Sequence, residues 1–141
     1  MYLDPINNSG WETLLPENNW ALFAIADDKQ KSQLEHLAKV CLDKNVLYVC
    51  GAGEASSSVD DEFDMEIVTR KIEVNDANYD DTPITTWHED FSEGFWFATT
   101  VTYNDTEIID KVVCVDLTEQ KYKEKILELI DNINAGWLPE H

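Results

Sequence analysis

The side chains in this 141-residue sequence that could do chemistry are mostly carboxylates, and they gather around two short motifs. Asp27-Asp28 close one apolar run, and Asp90 closes the motif Thr85-Thr86-Trp87-His88-Glu89-Asp90. If folding brought Asp27, Asp28 and Asp90 together, their oxygens could hold Mg²⁺. His88 could act as a general acid if Glu89 and Asp90 raised its pKa. The competing reading is structural. An Asp that follows a strand is a good helix N-cap, and Asp28, Asp90 and Asp116 all precede expected helix starts. His88 is then a structural residue whose N–H is accepted by Glu89 or Asp90. The structural reading is preferred. No catalytic residue, metal ligand or cofactor is assigned, and His88 with Asp90, and Asp27 with Asp28 and Asp90, stand as the alternatives.

Other signals of chemistry are incomplete. Gly51-Ala52-Gly53 follows a strand-like run, but Ser56 stands where a dinucleotide-binding turn would place its third glycine. The acids Asp60-Asp61-Glu62 and Asp64 come next, expected at a helix start that a pyrophosphate would need for itself. The sequence has no G-x-S-x-G elbow, and Cys50 has no evident His partner. His36 is expected on a helix surface, and His141 is terminal. Cys41, Cys50 and Cys114 are odd in number, lack a C-x-x-C spacing and lie in apolar runs, so buried free thiols in a reducing cytoplasm are expected.

The elements that must position these residues can be read from apolar patterning. Residues 1–18 hold Pro5, Gly10 and Pro16 and read as an irregular arm ahead of one domain spanning 19–141. Trp20 to Ala26, Val46 to Cys50, Ile84 to Trp87 and Val112 to Val115 read as strands, the first two buried on both faces. Leu34, Leu37, Ala38, Cys41 and Leu42 recur at helical spacing, capped by Asp28 and ended by Lys44-Asn45. Val59, Phe63 and Ile67 mark a second helix, whose pattern turns strand-like at Ile72 and Val74. Asn75 to Pro83 is an acidic loop. After Asp90 the chain suits a helix through Phe91, Phe95, Ala98 and Thr102, with a hairpin turning at Asn104-Asp105 as the alternative. A last helix carries Tyr122, Ile126, Leu129, Ile130 and Ile133, capped by Thr118 and ended by Gly136. This alternation predicts an α/β domain with a mostly parallel sheet of about four strands and helices on both faces.

Charge bounds the partners. The chain carries a net charge of −19, and between Glu54 and Glu93 thirteen Asp or Glu face two basic residues, Arg70 and Lys71. Such a chain repels nucleic acid and anionic lipid, which need clustered Lys and Arg. It attracts a basic protein or a cation. A 43% hydrophobic content is too high for a disordered acidic tail. Neither an N-terminal signal nor a run of membrane length is evident, so a cytoplasmic chain is expected.

The stretch Ile84 to Asp90, with Glu93 and Phe95-Trp96-Phe97, resembles a family of small bacterial α/β domains of unknown function. The apolar strand at 20–26, the strand and glycine loop at 46–53, and Asp61 to Asp64 share that family's order. The likeness spans roughly residues 19–100. It implies the α/β fold and a helix after Asp90, and no activity. With no complete catalytic set, the expected function is that of an acidic protein-binding module, most concretely an immunity or antitoxin-like inhibitor of a basic effector. Asp60, Asp61, Glu62, Asp64, Trp87 and Glu89 are the expected partner-binding residues. A small enzyme or metal-dependent regulator with an acidic site at the strand ends is the alternative.

Overall fold

The four apolar runs do share one sheet. In the computed structural model, which describes residues 1–74, 83–100, 102 and 107–139, they form β2 (Trp20–Ile25), β3 (Tyr48–Ala52), β4 (Ile84–Trp87) and β5 (Lys111–Asp116). A fifth strand comes from the expected arm: β1 (Tyr2–Leu3) pairs with Cys114 and Val115 of β5. The order is β1-β5-β2-β3-β4, and every pairing is parallel. Two residues are too few to show a period, so β1 left no apolar pattern to read.

The helices α1 (Leu34–Asp43), α2 (Ser56–Val74), α3 (Phe91–Thr100) and α4 (Lys123–Asn134) complete a single α/β domain. Alternate residues of the buried strands feed two apolar clusters. Leu22, Ala24, Val49, Val113 and Val115 pack with Leu37 and Cys41 of α1 and Val59 and Phe63 of α2. Phe23, Ile25, Cys50 and Cys114 pack with Phe95 and Ala98 of α3 and Ile126 and Leu129 of α4. All six residues of β2 are buried, as a strand covered on both faces requires.

Several boundaries differ from the sequence reading for local reasons. The second helix runs to Val74; Ile72 and Val74 are both exposed there, and no strand among the described residues recruits them. A 3-10 helix (Asp28–Gln33) precedes α1, and its N-cap is Asp27 rather than Asp28. Thr118 does not cap α4: Glu119 and Gln120 have φ of 60° and 70°, so the helix starts only after Tyr122. Its end is a Schellman turn at Gly136 (φ 93°), with Gly136 N–H bonded to Ile133 O and Trp137 N–H to Asn132 O. After Asp90 the chain is helical over Phe91–Thr100. The acidic loop from Asn75 and the proposed Asn104-Asp105 turn lie outside the described residues. Cys41, Cys50 and Cys114 are buried free thiols. Among the described residues no helix is long and apolar enough to cross a membrane.

Candidate functional site

A sheet that is parallel throughout gathers its carboxyl ends at one edge. Chain order reverses there between β2, which leads on to β3, and β5, which arrives from β4 on the far side. Open α/β sheets bind ligands at such a switch point. Here the position after β2 is Ala26-Asp27-Asp28, and the glycines stand after β3 instead.

The chain's own side chains occupy this crevice. Asp27 is buried; its Oδ2 accepts from Lys121 Nζ (2.8 Å), and its Oδ1 accepts from Glu54 N–H (2.9 Å) and Tyr122 Oη (3.2 Å). Lys121 also reaches Glu54 Oε1 at 3.2 Å. Burial alone would raise the Asp27 carboxyl, but the Lys121 ammonium and the Glu54 and Tyr122 donors outweigh it and hold it below the usual range. Beside it, Asp116 is fully buried at the end of β5 and accepts from Thr118 N–H (2.8 Å) and Tyr2 Oη (2.6 Å). Burial and that acidic partner raise the Tyr2 phenol well above its ordinary value. Asp4 is buried too, and accepts from Ile6 N–H, Asn7 Nδ2 and Gln120 Nε2. The buried carboxylates here are therefore satisfied, and they tie β1, β2 and the segment after β5 together.

The two glycines serve packing. A Cβ on Gly51 would lie 2.6 Å from Ser56 O and 2.9 Å from Val59 Cβ, so its absence lets α2 approach β3. Gly53 has φ 89°, and a Cβ there would lie 2.5 Å from Ala26 O. The acids expected at the opening of α2 lie a turn further in, because the helix starts at Ser56.

Asp28 is exposed, and its Oδ1 lies 3.5 Å from Lys31 Nζ. Asp90 caps α3, accepting from Glu93 N–H at 2.9 Å. Asp27, Asp28 and Asp90 thus have separate structural settings. Among the described residues no group of three or more His, Cys, Asp or Glu is placed to hold a metal ion.

His88 departs from expectation in its surroundings. Its ring packs on Phe97 (centroids 5.0 Å apart), and a Cβ on Gly94 would touch its Cβ at 3.0 Å. Nε2 is buried with no hydrogen-bond partner among the described residues, so neither Glu89 nor Asp90 accepts from it. Its pKa is lowered rather than raised, because burial against α3 disfavours the imidazolium more than Glu93 favours it. Burial also pushes the Cys50 thiol up to about 11. A lowered imidazole pKa disfavours His88 as a general acid, and a raised thiol pKa disfavours Cys50 as a nucleophile.

Of the expected partner-binding residues, Trp87 lies on β4, one of the two edge strands, Glu89 follows it, and the four Asp and Glu residues lie on α2. Trp87 is 43% exposed and Ile84 47%. Asp61, Asp64 and Glu89 are exposed, while Asp60 and Glu62 are half-buried. At 100° per residue Asp60 and Asp64 fall on one flank of α2, Glu62 falls on the other and Asp61 points outward. Asp64 accepts from Thr85 Oγ1 at 2.9 Å, which fixes its flank toward β4. The opposite flank carries Glu66 and Arg70, and Arg70 bridges to Asp43 at the end of α1. Met65, Val68 and Ile72 are exposed on the outer face.

Sequence reasoning missed Lys121, Tyr122, Tyr2 and Asp4. Lys121, five residues after β5 ends, was a usable signal, because a chain this acidic has few cations to place beside a strand-end carboxylate. An apolar cavity of about 370 Å³ was also not foreseen; it lies among Phe23, Phe95, Cys114, Ile126 and Ile130.

No curated protein and no solved structure matches the chain. One sequence family does, over residues 3–133, a wider span than the likeness seen from the motif at 84–97. The chain belongs to that family, described as Domain of unknown function (DUF7684).

Proposed function

We propose that this protein is an acidic protein-binding module, acting in a bacterial cytoplasm as an immunity or antitoxin-like inhibitor of a basic effector. The observation that carries the reading is the surroundings of Trp87. This large aromatic is exposed on an edge strand; Asp64 of α2 accepts a hydrogen bond from Thr85 on that strand, and the exposed Glu89 and Asp90 follow Trp87 in the chain. Exposed aromatics supply much of the affinity at interfaces, and a carboxylate rim supplies encounter rate and partner choice. No Lys or Arg occurs from residue 72 to residue 110, so the sequence around β4 carries only acids. Capture from the source cell at low ionic strength tests this. A stoichiometric basic protein, released by salt, is the expected result; a chain that stays alone, or one that holds an acidic partner, contradicts it.

A further inference from the structure

The backbone of β4 has a second edge, and its direction can be worked out. His88 N–H bonds Gly51 O, so residue 88 turns its peptide groups toward β3. Residues alternate along a strand, so Thr86 and Ile84 face β3 as well, in keeping with their pairing to Cys50 and Tyr48. The N–H and C=O of Thr85 and of Trp87 therefore point away from the sheet. No strand among the described residues pairs with that side. The side chains alternate too. Thr86 reaches Cys50 on the α3 face and Thr85 reaches Asp64 on the α2 face, which puts Ile84 on the α3 side and Trp87 on the α2 side.

An open edge is a template for another strand, and folded proteins guard against chance pairing with short strands, proline and charge. Here β4 has four residues and Pro83 precedes it. The guarding charge has one sign only, from Asp61, Asp64, Glu89, Asp90 and Glu93, all exposed. That rim repels a second copy of a chain with net charge −19, and attracts an extended segment rich in Lys or Arg.

We infer that β4 binds its partner by strand addition. An extended basic segment of the partner hydrogen-bonds the outward N–H and C=O groups of Thr85 and Trp87. Apolar side chains on that segment cover Ile84 on one face and Trp87 on the other, and its Lys or Arg side chains meet the acidic rim. Main-chain bonds supply affinity in this mode, and the alternating side chains supply selection. The inference rests on the reading of the protein as a binder of basic partners and specifies where and how it binds.

The test uses the full chain and a blocked eight-residue peptide of repeating Lys-Lys-Val-Val, which presents both valine and lysine on each face of an extended strand. At low salt this peptide is expected to slow amide hydrogen exchange at Thr85 and Trp87 by about tenfold or more. The same peptide with glutamate in place of lysine, or with proline at alternate positions, is expected to leave both amides unchanged. Thr85→Pro removes one outward donor and is expected to abolish peptide binding. Thr85→Val removes only the hydroxyl and is expected to retain it. Should Thr85→Pro not fold, exchange in the unmodified chain decides. Three results overturn the inference. The lysine peptide could bind while Thr85 and Trp87 exchange as before, which would leave an acidic binder that uses its side chains alone. It could fail to bind while a basic protein is still captured from the cell, which again rejects strand addition and leaves the functional reading standing. Or the two amides could gain protection with rising protein concentration and no peptide, which would make the occupant a second copy.

Discussion

Asp27 is a side chain on which three segments of the carboxyl edge meet. It joins the end of β2 to Glu54 after β3 and to Lys121 and Tyr122 after β5. Asp27→Ala is expected to cost about 1–3 kcal/mol in denaturant unfolding, the range for losing a cap and leaving buried donors unpaired. Because the folded carboxyl titrates below its unfolded value, its contribution is complete above about pH 4 and is lost as the pH falls through the folded value. His88 has the same sign in a different window. Its folded pKa is also depressed, so its contribution is complete above about pH 6.5 and fades below that. NMR titration is expected to place the His88 imidazole below 6.5, and His88→Phe to flatten stability between pH 6.5 and 5. A value above 6.5 would mean that Glu89, Asp90 or Glu93 governs the ring instead. The sequence showed that acids surround His88 but could not show which of them it faces. Residues adjacent in the chain point elsewhere here, and the true neighbours are Phe97 and Gly94, one helix further on.

Among the elements, β2, β3 and β5 were legible because burial on both faces writes a continuous apolar run. The helices were legible where one face meets a core, as with Leu34, Leu37 and Cys41 or Ile126 and Leu129. What was not legible depended on tertiary contact. The strand β1 is too short to carry a pattern, and the glycines after β3 resembled a ligand turn until α2 was seen packed against them. Gly51→Ala tests that packing role. The new methyl would meet the backbone oxygen of Ser56, which cannot swing aside, so a loss of about 3 kcal/mol is expected, at the upper end for overpacking. An unchanged melting temperature would show that α2 can shift away from β3 without cost. The Asp90 cap predicts a smaller loss: Asp90→Ala should destabilise by about 1 kcal/mol, with the helical signal of α3 reduced.

On the scale of the whole molecule, the switch-point crevice is closed by an internal Lys121–Asp27–Glu54 bridge, while the open and acidic surface lies at the β4 edge. The strand-end Asp pair that suggested a metal site is thereby divided, with Asp27 drawn into the network and Asp28 left in solvent. Sequence charge pointed to a basic partner and to the α2 acids. It could not show that those acids diverge around the helix, nor that Asp64 is tied to β4. The central claim is that a basic protein docks against this edge, and its most direct test is the association rate with the captured partner as a function of ionic strength. Asp61→Lys with Glu89→Lys reverses two exposed charges that bear no structural bond among the described residues. The account predicts association slowed by about tenfold at low salt, with a shallower salt dependence and an unchanged melting temperature. Association rates that match the unaltered protein at every salt concentration would contradict it.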